Sequence, residues 1–348
     1  MKTAAIIRIV VGAVAAVLLL ILLVSVLSGR TMFHNGRIDI ATESVPAASA
    51  LGEKQAIAAE SKTGGKEKND AAPGKGDAPK ASVEYASGDA SVPMDQVDRI
   101  EIEWVAGEVK LAAGTGDAVT FSESSAKPLT DKQTLRYAVR ENKLIVSYCE
   151  STSRIWDWLD LDKLNMPSKD LTLTVPAALM DSLREIQVDA VSATVSSTDV
   201  RARKFQVESV SGDILISGMA GEELETQSIS GHVEITDMDV RELDMETVSG
   251  SLSAAGKADS VDTEATSGST ALTLDAAPRK LDMDSVSGKI RVYLPASADD
   301  FTAALDSVSG DLSCDFPSVL KNGRFTVGGG GSAYQFETVS GDVELIKR

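Results

Sequence analysis

The chain has 348 residues, 43% hydrophobic and 25% charged, with a formal net charge of −18. It can bury a core of ordinary size, and its acidity argues against nucleic acid and anionic lipid surfaces as binding partners. Aromatic residues are only 4% and the two cysteines form no spaced motif, so neither a bulky aromatic core nor a disulfide framework is expected.

The amino-terminal segment is apolar. Ile9 to Leu27 is interrupted only by Gly12 and Ser25, and about 20 such residues span a bilayer as a helix. No small-x-small cleavage site follows closely; Ala48-Ser49-Ala50 has that shape but lies far downstream. Residues 1–29 are therefore expected to be a cytoplasmic stub and a retained single-pass membrane anchor. Lys2, Arg8 and the amino terminus flank it on one side, Arg30 and Arg37 on the other. That balance favours an inside amino terminus, which puts the carboxyl-terminal domain outside the cytoplasm. Residues 30–95, rich in Ala, Gly, Lys, Ser and Pro with almost nothing apolar to bury, read as a disordered tether. Residues 1–95 hold ten basic and ten acidic side chains, so the whole acidic excess falls in 96–348.

Ordered structure is expected from near Val97, with residues 96–186 forming an amino-terminal β region and first coils. Arg99–Trp104 and Gly107–Leu111 alternate apolar and polar residues, as strands do. Further strands are predicted at Ala118–Ser122, Leu135–Arg140, Lys143–Tyr148 and Leu171–Val175, the last stopped by Pro176. The stretch between Cys149 and Lys169 is irregular and contains Trp156 and Trp158, either a cap docked on the first coils or an exposed contact patch.

Residues 187–348 repeat one phrase. Val-Ser-Gly or a close variant ends at Ser211-Gly212, Ser230-Gly231, Ser249-Gly250, Ser267-Gly268, Ser287-Gly288, Ser309-Gly310 and Ser340-Gly341, with Ser192-Ala193 as a weaker first copy. The serines are mostly about 19 residues apart, which predicts an all-β single-stranded solenoid. Setting each serine at position 0, columns −4, +3 and +5 are mostly apolar, as inward positions of stacked coils should be. Glycine at +1 fits a bend where a side chain would crowd the next coil. Eight equivalent serines and two histidines supply no nucleophile with its own base, so the serine column reads as structural.

Position −3 holds Asp189, Glu208, Gln227, Glu246, Glu264, Asp284, Asp306 and Glu337, and position −5 adds Glu225, Asp244, Asp262 and Asp282. Both should point outward, with carboxylates of one column about 5 Å apart. One reading is a solvated face that keeps solenoids from pairing laterally; the other is a stripe for divalent cations such as calcium or for a cationic polymer. The Gly-Gly-x-Gly-x-Asp calcium-roll motif is absent. His34 and His232 have no partner at ligand spacing, and no cofactor is expected.

The run Ile100-Glu101-Ile102-Glu103-Trp104-Val105-Ala106-Gly107-Glu108-Val109-Lys110-Leu111 resembles the opening of a bacterial putative-adhesin family built on β-strand repeats of unknown function. Leu144-Ile145-Val146, Leu171-Thr172-Leu173-Thr174-Val175-Pro176 and the Ser-Val-Ser-Gly-Asp repeats follow that family's later course. The resemblance implies the solenoid fold over roughly 97–348 and carries no catalytic motif. Some similar members sit beside envelope-stress signalling systems, anchored by one amino-terminal helix. Together these readings predict a non-catalytic binding or adhesion module at the cell envelope, contacting wall polymer, glycan or an envelope protein. The alternative is an accessory protein of an envelope-stress response. A polysaccharide-active β-helix enzyme would need a clustered acidic site, whereas these acids are spread evenly along the stack.

Overall fold

The period-2 alternation of the sequence becomes a double stack of β arms. The computed structural model describes residues 85–149 and 167–348. The expected anchor, most of the expected tether, and Trp156 and Trp158 lie outside the described residues. Among the described residues no helix is long and apolar enough to cross a membrane.

The chain runs through β1 (Ala86–Ser87), β2 (Ala90–Pro93), β3 (Arg99–Gly114), β4 (Ala118–Ser125), β5 (Arg136–Arg140), β6 (Lys143–Ser147), β7 (Lys169–Pro176) and a single helical turn, α1 (Ala177–Met180). It continues through β8 (Glu185–Thr198), β9 (Lys204–Ser211), β10 (Ile214–Ser217), β11 (Ala220–Ser230), β12 (Val233–Ser249), β13 (Leu252–Ser267), β14 (Thr270–Leu274), β15 (Lys280–Ser287) and β16 (Ile290–Leu294). The last elements are β17 (Phe301–Ser309), β18 (Leu312–Cys314), β19 (Val319–Lys321), β20 (Arg324–Val327), β21 (Ser332–Ser340) and β22 (Val343–Lys347). Strands β1 and β2 thus precede Val97, within the stretch expected to be tether. The two short leading strands pair antiparallel with β5 and β4, and Val92 is buried. Backbone pairing, to which the polar composition of this segment gave no clue, holds them in place.

Each coil contributes one arm before its Ser-Gly corner and one after it. The arms before the corner stack in parallel as β3, β8, β9, β11, β12, β13, β15, β21 and β17. The arms after the corner stack as β7, β3, β8, β10, β12, β13, β14, β16, β22 and β18. Four strands serve both stacks: β3 and β8 run through the corner, while β12 and β13 run from one corner to the next. Like residues pair with like, as in Ser211↔Ser230↔Ser249↔Ser267↔Ser287.

Inward columns fill the space between the stacks. At −4, Val188, Val207, Met245, Met283 and Phe336 are buried, and at +3 so are Val195, Ile214, Val233, Leu252, Ile290 and Val343. Each aliphatic side chain gains about 1.5–3 kcal/mol from full burial, which only its neighbouring coils provide. In the terminal coil this shelter is incomplete, and Leu305, Leu312 and Cys314 are only partly buried.

The coil order departs from chain order at both ends. β21 and β22 slot between β15/β16 and β17/β18, so Ser340 pairs with both Ser287 and Ser309. At the other end β3 lies between β6/β7 and β8. Outside these coils the pairing turns antiparallel, with β4 on β7, β5 on β6, β20 on β17 and β19 on β20. Short hairpin strands at the ends, one bearing Pro93, blunt edges that would otherwise template further pairing.

The corner explains the glycine column. Gly212, Gly231, Gly250, Gly268, Gly288, Gly310 and Gly341 have φ between +129° and +158°. A Cβ on Gly288 would collide with the carbonyl of Gly268, and one on Gly341 with that of Gly288. The corner serines are exposed; the hydroxyls of Ser192 and Ser267 donate to Val105 O and Val248 O of the preceding coil at 3.1 and 3.3 Å.

Candidate functional site

The outer face of the pre-corner stack carries the acidic columns. Position −3 is one register line, Glu103↔Asp189↔Glu208↔Gln227↔Glu246↔Glu264↔Asp284↔Glu337↔Asp306. Position −5 is a second, Glu225↔Asp244↔Asp262↔Asp282. All the acids expected to share a face are therefore brought together. They alternate with buried residues at −6, −4 and −2, so strand alternation alone aims them outward.

The face is less open than a simple solvated stripe. Glu208 is 5% exposed and Gln227 3%, while Glu225, Asp244, Glu246, Asp262, Glu264 and Asp284 are half-buried; only Asp306 and Glu337, near the terminal coil, are exposed. Side chains stacked about 4.8 Å apart shield each other from water as they crowd. Ionising them is correspondingly costly. Burial, reinforced by Asp244 and Glu264 on either side, pushes Glu246 up to about 9. Burial and then Glu208 raise Asp189 to about 8. Burial, with neighbouring carboxylates second, brings Glu208, Asp244 and Asp284 to about 7. The carboxyls of Asp262 and Glu264 are raised by the same causes.

Two devices relieve the repulsion, and neither was anticipated from the columns. In the first coils position −5 is glutamine, and its amide donates to the acid two residues on: Gln187 Nε2 to Asp189 at 3.2 Å, and Gln206 Nε2 to Glu208 Oε1 at 2.8 Å. In the next coil the order is reversed, with Gln227 Nε2 donating to Glu225 Oε1 at 3.0 Å. Position −7 supplies the second. Lys204 Nζ lies 2.8 Å from both Glu223 and Glu225, and Lys280 Nζ lies 3.3 Å from Asp282 and 3.6 Å from Asp262. Extending the column alignment to −7 and to the glutamines would have revealed both. Among the described residues no lysine or arginine pairs with Asp244, Glu246, Glu264 or Asp284.

Among the described residues no group of three or more His, Cys, Asp or Glu is placed to hold a metal ion. A line of carboxylates presents successive pairs and does not converge on one point, as a calcium ion with six to eight oxygen ligands requires. His232 accordingly sits on an outward column without a second ligand, half-buried.

A separate polar cluster ties the amino-terminal coils together. Lys169 is 1% exposed; its Nζ donates to Glu123 Oε2 and Gln133 O at 2.6 Å and to Tyr148 O. The ammonium also lies 5.0 Å from the Trp104 ring and 4.3 Å from the Tyr148 ring, while Trp104 Nε1 donates to Lys169 O at 3.0 Å. Burial lowers the lysine pKa, against the pull of Glu123. Every donor and ring is committed to holding β3, β4, β6 and β7 together, which marks this cluster as structural.

Three solved structures match the chain at low identity and low TM-score. A putative adhesin from Bacteroides fragilis is 15% identical, covering 76% of this chain and 98% of its own, with a TM-score of 0.42. A putative lipid binding protein from Parabacteroides distasonis is 14% identical, covering 74% and 97%, with a TM-score of 0.38. A putative cell adhesion protein from Clostridium sporogenes is 9% identical, covering 76% and 100%, with a TM-score of 0.26. No curated protein matches the chain. Residues 97–346, spanning the repeats and the coils before them, match the Toastrack DUF4097 family as a whole, and the chain belongs to that family.

Proposed function

We propose that this protein is a non-catalytic binding module of the cell envelope, held to the membrane by residues 1–29 and presenting the acidic side of its solenoid outward. The observation that carries the reading is the register line from Glu103 to Asp306, acidic at every position but Gln227 and flanked from Glu225 to Asp282 by a second line of acids. A folded chain gains nothing in stability from stacking like charges, since carboxylates directly opposite one another are destabilising. A stripe that raises its own pKa values across five coils is better suited to meeting a cationic surface or chain than to holding the fold together. Envelope polymers and proteins bearing amines or basic patches are the partners this chemistry fits.

The test is retention of the full chain on purified wall polymers and on envelope fractions at low and physiological salt. Retention that falls as salt rises supports the reading. Absence of retention on every matrix removes it and leaves the envelope-stress accessory role, tested by induction with wall-active antibiotics.

A further inference from the structure

We propose that the doubled stripe formed by Glu225, Asp244, Glu246, Asp262, Glu264 and Asp284 binds linear polyamines, chains whose ammonium groups are strung along an extended backbone. The inference rests on the acidic side being a binding surface and names the chemistry that the surface takes. The protein supplies its own example of the contact. Lys280 reaches across the stripe so that one ammonium lies 3.3 Å from Asp282 and 3.6 Å from Asp262, carboxylates of adjacent coils. The next gaps along the same lines, Asp244 to Asp262 and Glu246 to Glu264, have the same in-register pairing. No cation among the described residues fills them.

The stripe also contains acceptors without partners. Gln227 is 3% exposed and stands in register between Glu208 and Glu246; its Nε2 is committed to Glu225, which leaves Oε1 buried and without a hydrogen-bond donor among the described residues. Asp284 Oδ1 is buried and unpartnered in the same way. A buried acceptor without a donor costs free energy, and two of them in one carboxylate stripe leave room for a hydrogen-bond donor, which an ammonium supplies. Carboxylate pairs repeating about every 4.8 Å suit amines joined by short alkyl spacers, whereas a single divalent ion needs ligands that converge. The alkyl spacers would lie over the half-buried carboxylates and complete their burial. Carboxyls that hold protons near neutral pH must release them when ammonium groups replace them, so binding carries a proton signal.

The experiment is calorimetric titration of the full chain with spermine, in phosphate and in Tris. Saturable binding with proton release, read from the difference between the two buffers, is expected. The triple variant Glu246→Gln, Glu264→Gln, Asp284→Asn should bind about tenfold more weakly, from the loss of charge-assisted contacts. Lys280→Ala opens the gap that Lys280 fills and should bind about threefold more tightly. Lys257→Ala removes the same charge beside Asp239, off the stripe, and should change nothing. Equal tightening by both lysine variants, unaltered binding by the triple variant, or displacement of spermine by equimolar calcium overturns the proposal. If the triple variant misfolds, the lysine pair still decides. Loss of wall-polymer retention with spermine binding intact counts against the broader function alone. Retention without spermine binding counts against this inference alone.

Discussion

The amino-terminal coils and the repeat stack solve the same packing problem by opposite means. From Val207 to Val292 the stack uses similar small contacts, repeated: a buried, mostly aliphatic side chain at −4 and +3, a glycine at the corner, a backbone ladder in register. The amino-terminal coils use contacts made once. Trp104 packs edge-on to Tyr148 at 5.0 Å, Phe121 to Tyr137 at 4.9 Å, and Lys169 gathers three acceptors on a buried ammonium. The far end repeats the one-off strategy with Phe301 stacked on Tyr334 at 4.8 Å and edge-on to Phe316. Aromatics are concentrated where the period breaks. A repeated coil can rely on the next coil for shelter, while a terminal coil must close its own open side.

If this contrast is right, the two regions should respond differently to mutation. The largest effect is expected at the corner. Gly288→Ala puts a Cβ into the backbone of Gly268 at a φ of +147°, and should cost upward of about 4 kcal/mol or prevent folding. Gly88→Ala, in the amino-terminal region at φ +85° with nothing within 4 Å, pays only backbone strain, about 1 kcal/mol. Thermal unfolding of the two variants separates close coil approach from turn conformation; equal losses would dissolve the distinction.

Next comes the amino-terminal hub. Lys169→Met leaves the Glu123 carboxylate facing a buried pocket without its cation and should cost about 3–4 kcal/mol. Lys169→Met with Glu123→Leu should regain most of that, because the pair's attraction is largely offset by its own desolvation. Denaturant midpoints of the single and double variants check the recovery.

The acidic stripe makes a smaller contribution, with the opposite sign to the usual carboxylate. Folding raises the pKa of Asp189, Glu208, Asp244, Glu246 and Asp284 from ordinary values of 3.8 or 4.5 to about 7–9. The folded state therefore binds more protons than the unfolded one between about pH 4 and 9. The stability that these groups confer is full below the unfolded values and is lost as pH rises through the folded ones. Stability, and with it the unfolding temperature, should climb as pH falls from 9 to 5, by at least about 1 kcal/mol after discounting for water screening of the half-buried groups. Glu246→Gln with Asp284→Asn should flatten that slope; an unfolding temperature independent of pH would mean that the stripe is fully hydrated.

How legible this was in the sequence follows from the same contrast. The Ser-Gly corners and the columns at −4, +3 and +5 could be read because every coil votes for the same pattern, and the acidic lines at −3 and −5 came with them. Coil order could not be read. Ser287, Ser309 and Ser340 look like successive coils, yet β21 enters between the other two, and only the widened spacing around Gly328-Gly329-Gly330-Gly331 hinted at a detour. Lys169 was invisible for the complementary reason. Its partners Glu123, Gln133 and Tyr148 come from three distant positions, with no period to tie them together.

The smallest effect tests whether the stack tolerates polar atoms in its repeated columns. Thr226 occupies the inward −4 position, is 0% exposed, and has no hydrogen-bond partner for Oγ1 among the described residues. Its register neighbours are Val207 and Met245, both fully buried and apolar. Thr226→Val keeps the shape and the β-branched preference for strands while removing a desolvated hydroxyl. It should raise stability by up to about 1 kcal/mol, a gain of a few degrees in unfolding temperature. A loss instead would mean that the hydroxyl is hydrogen-bonded to water trapped between coils, and that the stack, like the amino-terminal hub, relies in part on a contact it makes only once.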